Sequence, residues 1–169
     1  MLNHYCRQRG LEFDRDGLIA RSGTVDAELL ASLDALPFYS QTGAKSLGRE
    51  WVEKEIFPMI DSRGLEFADL LSTFTEHAAR QVARVVRRVG KPHPTMLITG
   101  GGALNVYLVE RIRELAGCEV KIPPHQIIEF KEALIFAFLG ALYMADEASC
   151  LSSVTGAACD NIGGMLFKI

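Results

Sequence analysis

Cysteine is sparse and scattered: Cys6, Cys118, Cys150 and Cys159, with no C-x-x-C pair among them. Zinc frameworks need clustered ligands, and disulfide scaffolds are shorter and denser in cysteine. Both are excluded, and the thiols are expected to be reduced and mostly buried. Histidine is equally thin. His4, His77, His93 and His125 stand far apart with no H-E-x-x-H setting, so the sequence supports no metal site. No charge sign dominates. The 18 Lys plus Arg stand against 21 Asp plus Glu, a net charge of −3, which gives no general reason to expect nucleic acid or an anionic membrane as a partner. No window holds the roughly 18 uninterrupted apolar residues a membrane span requires. The longest apolar stretch, Ala133 to Ala145, reads as a buried helix. The opening Met-Leu-Asn-His-Tyr-Cys-Arg lacks a charged region ahead of an apolar core, so no secretory signal is visible and a cytoplasmic location is expected. The 49% of residues that are hydrophobic rule out a disordered chain and suit one globular domain, or one domain with an appendage.

The chain opens in what reads as a helix over residues 1 to 9, with no leader and no first strand, and Gly10 gives a C-cap signal. Phe13 to Gly17 is a turn whose two Asp and one Gly resemble a calcium loop, without the further ligands that loop needs. Asp26 is placed to cap a helix over Ala27 to Leu36, with Leu29, Leu30 and Leu33 on one face and Pro37 ending it. A second helix is expected over about Leu47 to Ile60, with Trp51, Ile56 and Met59 toward the core. Residues 66 to 89 form the longest periodic segment. Phe67, Leu70, Leu71, Phe74, Ala78, Val82 and Val85 make its apolar stripe, and its end is basic through Arg80, Arg84, Arg87, Arg88 and Lys91. Cations there suit the helix C-terminal dipole better than a phosphate patch. Gly90 and Pro92 stop the helix.

The pattern then changes. Thr95 to Thr99 is a short apolar run of the kind a buried parallel strand shows. It leads through Gly100-Gly101-Gly102-Ala103-Leu104-Asn105 into a helix over Val106 to Ala116. A strand over Cys118 to Ile122 and a long apolar helix over about Ile128 to Ala145 follow. The result is a helix-rich α/β chain, mainly helical over 1–92 and β-α-β-α over 93–169.

Three successive glycines after a strand allow positive φ and leave no Cβ to block a ligand, and the helix N-terminus beyond them favours anions or nucleotides. Tight strand-to-helix packing would also ask for glycine. The run is not a dinucleotide fingerprint, because Asn105 stands where glycine is needed, and no Gly-Lys-Ser/Thr follows it. Gly43-Ala44-Lys45-Ser46 mimics the end of a Walker loop, but Ala44 breaks the Gly-Lys step.

Leu97-Ile98-Thr99-Gly100-Gly101-Gly102-Ala103-Leu104-Asn105 resembles the adenosine motif of the actin-like ATPase and sugar-kinase superfamily. Pro37-Phe38 with Lys45-Ser46-Leu47-Gly48-Arg49-Glu50 resembles the Lys-Ser-Thr-Gly-Arg-Glu signature of the anhydro-N-acetylmuramic acid kinase family. Glu132-Ala133-Leu134 with Phe136-Ala137-Phe138-Leu139 is similar to that family's Glu-Ala-x-Ala-Phe-Ala-Trp-Leu helix. Val154-Thr155-Gly156-Ala157 is similar to its C-terminal Val-Thr-Gly-Ala, and Phe13-Asp14 to Gly23 to the stretch after its second phosphate loop. Leu47 for Thr and Phe138 for Trp are the departures.

The resemblance implies an ATP-dependent kinase, using Mg²⁺, that converts 1,6-anhydro-N-acetylmuramic acid to N-acetylmuramic acid 6-phosphate in cell-wall recycling. It implies a fold of two ribonuclease-H-like lobes, of which this chain is the C-terminal lobe portion, lacking its first strands. Gly100, Gly101, Gly102 and Asn105 would lie against the adenosine, and Glu132 would face the cleft as a polar anchor for the sugar. A helix-start Glu in a favourable dipole is the other account of Glu132. Lys45, Ser46 and Arg49 read as a loop-to-helix junction with Ser46 as its N-cap. The family's phosphate loops and catalytic Asp precede the matched region, so the isolated chain is expected to be inactive and to partner either the missing N-terminal part or itself. A scaffold or oligomerising module, and a nucleotide-binding subunit of a split kinase, are the competing readings. A methyltransferase-like enzyme explains only the glycine turn.

Overall fold

The computed structural model describes residues 1–169 except 43, 44, 91, 166, 168 and 169. The Gly43-Ala44 step, Lys91 at the basic helix end and Leu166 in the tail therefore lie outside the described residues. Two compact units make up the chain, Met1–Ile122 and Pro123–Ile169.

The first unit begins with α1 (Leu2–Gln8), whose buried Tyr5 and Cys6 face the core. A tight 3-10 turn, Arg15–Gly17, leads into the short α2 (Leu18–Ser22). Asp26 then accepts the Leu29 N–H at 2.6 Å and starts α3 (Ala27–Asp34), which buries Leu29, Leu30 and Leu33 as its spacing predicts. Pro37 does more than end α3. It occupies the first turn of α4 (Pro37–Ser40), where its missing N–H is no loss.

The helix expected from Leu47 begins at Arg49 and is not uniform. α5 (Arg49–Trp51) passes through a π turn, Val52–Ile56, into α6 (Phe57–Asp61). Pro58 cannot donate to the carbonyl four residues back, and the wider turn lies just ahead of that gap. Ser46 is not the cap of this segment. Gly48 holds that position in extended backbone, with no side-chain cap.

α7 (Phe67–Val89) runs through the centre of the unit and ends at Gly90 in the left-handed conformation. Its near half packs Leu70 and Leu71 among Leu29, Leu33, Ile56 and Ile60, and its far half sets Ala79 and Ala83 against Ile112 and Ala116. The expected apolar stripe is only part of the buried surface. Val85 is 60% exposed, whereas Ser72, Thr73, Thr75, Glu76 and His77 are buried. A helix packed on several sides buries residues that a single-stripe reading assigns to solvent.

β1 (Thr95–Leu97) and β2 (Glu119–Lys121) flank α8 (Val106–Ala116) and pair in parallel, Met96 opposite Val120. The fully buried strand expected at Thr95–Thr99 is instead covered on one face. Met96, Ile98 and Val120 pack against α7 and α8, while Leu97 is 63% exposed.

The second unit contains α9 (His125–Met144), α10 (Ser152–Thr155) and an antiparallel bridge between Cys150 and Asn161. The apolar run expected to be a buried helix forms α9, yet none of its residues is buried. The unit's other described elements are too small to cover a helix whose stretch from Ala133 to Met144 is apolar on every side. Of the thiols only Cys6 is buried, and Cys159 is exposed.

Candidate functional site

The sequence after β1 builds a turn that has a specific need for glycine at one position. Gly100 adopts φ +77°, ψ −178°, a region closed to residues with a Cβ. A 3-10 turn over Gly101–Leu104 follows, closed by the Ala103 N–H on the Gly100 carbonyl at 2.9 Å. Asn105 then caps α8, its Oδ1 accepting the Leu108 N–H at 2.9 Å. A Cβ at Gly101 would meet nothing within 4 Å, and one at Gly102 would only reach Leu108 at 4.0 Å. Packing therefore does not account for these two glycines. Both are exposed and line a cleft of about 590 Å³. Behind the turn, the Thr99 hydroxyl is buried without a hydrogen-bond partner among the described residues.

The opposite wall comes from the start of the chain. Leu2 and Asn3 of α1, with Phe13, Asp14, Arg15 and Asp16, complete the cleft. Asp14 shapes this wall. It is 6% exposed, and its two carboxylate oxygens accept the N–H groups of Ile19 and Ala20, each at 2.9 Å. Those are orphan donors of the first turn of α2, so Asp14 ties the 3-10 turn to the helix. Leu2, Phe13, Leu104 and Leu108 give the cleft an apolar lining beside the polar Asn3, Arg15, Asp16 and Asn105. A cleft of this size with both apolar and polar lining suits a small molecule. The pairing of residues 13–16 with the glycine turn was not visible in the sequence. The Asp-x-Asp-Gly spacing marks only a turn, and nothing local reports what the turn faces.

Behind α8 lies a charged cluster. Glu76 of α7, 5% exposed, accepts from Arg80 at 3.0 Å and from Arg111 of α8 at 2.8 Å. Burial pushes its carboxyl up, but the guanidiniums of Arg111 and Arg80 more than offset this and hold it below the ordinary value. Arg111 also pairs with Glu114, and Arg21 of α2 pairs with Glu110 while lying 4.9 Å over the Tyr107 ring. The Glu76–Arg111 and Arg21–Glu110 pairs link α8 to α7 and α2.

The Lys45–Glu50 segment occupies a different face. Lys45 donates to the Phe38 carbonyl at 2.7 Å and lies over the Phe38 ring, and Arg49 pairs with Glu53 at 2.6 Å. Leu47, Gly48 and Arg49 line a second cleft of about 680 Å³ with His4 and Arg7 of α1. Asn3 borders both clefts. Thus Gly101, Gly102 and Asn105 share one cleft, with Gly100 at its hinge. Glu132 belongs to the second unit, exposed on α9. That unit has its own apolar cavity of about 690 Å³, lined by Phe136, Leu139, Tyr143, Met144, Cys150 and Met165 among others.

The family described as anhydro-N-acetylmuramic acid kinase matches residues 1–168. The anhydro-N-acetylmuramic acid kinase of Variovorax paradoxus (strain S110) is 36% identical, covering 99% of this chain and 46% of the relative. That of Xanthomonas oryzae pv. oryzae (strain MAFF 311018) is 34% identical with the same coverage. The protein of that name from Sulfurimonas denitrificans (strain ATCC 33889 / DSM 1251) is 31% identical, over 96% of this chain and 47% of the relative. The chain thus spans about half the length of the curated relatives it matches.

Proposed function

This chain belongs to the anhydro-N-acetylmuramic acid kinase family, and from that membership we propose that it is the nucleotide-side, C-terminal portion of such a kinase, an incomplete ribonuclease-H-like lobe. The cleft beside Gly100–Gly102 takes the adenosine part of ATP. The reading is carried by the two exposed glycines, Gly101 and Gly102, whose missing side chains leave open space in the cleft and serve no packing purpose. A nucleoside can approach that backbone closely, with the N-terminus of α8 facing the more electronegative end of the ligand. Asn105 uses its oxygen on the cap, which leaves its amide NH₂ as a donor to the ligand. Leu2, Phe13 and Leu104 supply the apolar surface a base requires.

ATP, with Mg²⁺, supplies the phosphoryl group to O6 of 1,6-anhydro-N-acetylmuramic acid while water adds at C1 and opens the anhydro bridge, giving N-acetylmuramic acid 6-phosphate and ADP for cell-wall recycling in the cytoplasm. Phosphoryl transfer requires phosphates and Mg²⁺ to be clamped and a base to be positioned. The family resemblance assigns those parts to sequence upstream of the matched stretch, and no residue here is assigned to Mg²⁺. Glu132 serves as a polar anchor for the amino sugar in the whole enzyme. These 169 residues alone bind nucleotide and do not phosphorylate the sugar.

Calorimetric titration with ATP and with adenosine tests the binding half of the reading. Similar affinity for the two is expected, because the cleft holds the nucleoside. Gly101→Leu should abolish binding while leaving the melting temperature unchanged. Undiminished binding by that variant would remove the cleft as the nucleotide site. Phosphate transfer to the anhydro sugar by the purified chain alone would overturn the catalytic half.

A second reading is favoured by one observation, the exposure of Phe130, Leu134, Phe136 and Phe138 on α9. On it, the chain is a non-catalytic, self-associating module derived from the same lobe. Silence toward ATP combined with a stable dimer would favour it.

A further inference from the structure

We infer that Gly17 is a positioning residue for the glycine turn, acting through the side chain of Asn105; for its effect on nucleotide this rests on the binding site proposed above. Gly17 closes the 3-10 turn in the left-handed conformation, φ +71°, and is buried. A Cβ there would overlap Asn105 Oδ1 and stand 2.7 Å from Tyr107 Cβ. The bare backbone of Gly17 is thus the surface against which Asn105 rests. Asp14 holds that surface in place by binding the Ile19 and Ala20 N–H groups. Arg21, four residues on, closes the other side by pairing with Glu110 and covering Tyr107.

Two consequences meet at Asn105. Its Oδ1 accepts the Leu108 N–H, and its own N–H donates to the Gly102 carbonyl at 3.2 Å, so its position sets both the first turn of α8 and the end of the glycine turn. Any side chain at position 17 pushes Asn105 out of the cap and moves the nucleotide-facing backbone with it. Gly10 is the natural control. It has φ +74° and nothing within 4 Å of its would-be Cβ, so Gly10→Ala carries the same backbone strain without the contact.

The test compares the parent chain, Gly17→Ala and Gly10→Ala by amide hydrogen exchange and by ATP titration. In Gly17→Ala the Leu108 amide should exchange about fivefold faster, the loss of one cap. ATP affinity should fall about tenfold or more. Gly10→Ala should match the parent in both readouts once its lower overall stability is taken into account. Should Gly17→Ala not fold, Asn105→Ala removes the same cap without adding atoms, and Asn105→Ser, which retains an acceptor, should restore Leu108 protection. Leu108 exchange in Gly17→Ala equal to that in Gly10→Ala overturns the inference, as does faster exchange with ATP affinity unchanged. A parent chain that ignores ATP overturns the nucleotide reading instead, and the exchange comparison still decides the role of Gly17.

Discussion

His77 sits midway along α7 with 1% of its surface exposed, between a carboxylate and a phenol. Its Nδ1 lies 2.8 Å from Asp34 Oδ1 and its Nε2 3.0 Å from Tyr39 Oη. A neutral ring satisfies both contacts, with Nδ1–H donating to Asp34 and the Tyr39 hydroxyl donating to Nε2. Burial lowers the pKa of the ring, and Arg84 and Arg80 act in the same direction. Together they outweigh the pull of Asp34 toward the charged form. Because the folded pKa lies below the unfolded value of about 6.5, the unfolded chain takes up the proton first as pH falls. Stability is therefore full above about pH 6.5 and declines below it, by at most about 1.4 kcal/mol per pH unit from this group. Urea unfolding followed from pH 8 to 5 should show that decline. His77→Gln should lose that decline and be less stable at pH 8. A decline that persists in the variant would assign the titration to another group. Nothing in the sequence singled out this histidine, because its partners lie 43 and 38 residues away along the chain.

Among the elements, α7 shows what periodicity reports and what it leaves out. Its length and both ends were legible, since an apolar residue at every third or fourth position and the Gly90 stop are local signals. Its buried polar face was not, because Ser72, Thr75 and Glu76 are buried on a helix that α2, α3 and α8 pack against, and these arrive from distant sequence. The same limit explains the site. The glycine turn and the α8 cap are encoded within a few residues, whereas the opposing wall at 13–16 meets them only in the fold. Two substitutions probe the α7 contacts. Glu76→Ala takes the buried partner from Arg111 and Arg80, leaves them only Glu114 and Asp34, and opens a buried gap. Both arginines are partly exposed, so a loss of about 2–3 kcal/mol is expected, below the range for a fully buried pair. The stability that Glu76 contributes should also fade in the parent as pH drops below about 4.3 toward its lowered folded value. Gly23→Ala drives a Cβ into the Ala68 carbonyl and to 2.7 Å from the Asp69 nitrogen, both backbone atoms of the first turn of α7. A loss of about 2–3 kcal/mol in denaturant melts is expected, and a neutral result would mean that α2 and α7 can separate freely.

At the scale of the whole molecule, the two units differ in how they satisfy their apolar residues. The first wraps α7 in other elements and buries leucines and isoleucines from five segments. The second leaves Phe130, Leu134 and Phe138 at 62%, 59% and 61% exposed, on one face of α9 at steps of four residues, with Phe136 at 71% on another. A soluble monomer seldom presents so continuous an apolar face. Apolar side chains on more than one side of α9 call for cover, and a second copy of this chain is the cover always present in a purified sample. Sedimentation of the chain over a wide concentration range should therefore show reversible self-association. The triple variant Phe130→Gln, Leu134→Gln, Phe138→Gln should sediment as a monomer. Because these side chains are already exposed, the substitutions should cost the unit little stability, and a melting temperature near that of the parent separates loss of contact from loss of fold. Dye binding to exposed apolar surface gives the converse measurement, strong in dilute parent protein and weakened in the variant. A parent that stays monomeric at every concentration and binds no dye would show that the apolar face of α9 is covered within the chain, and the self-associating reading would fall.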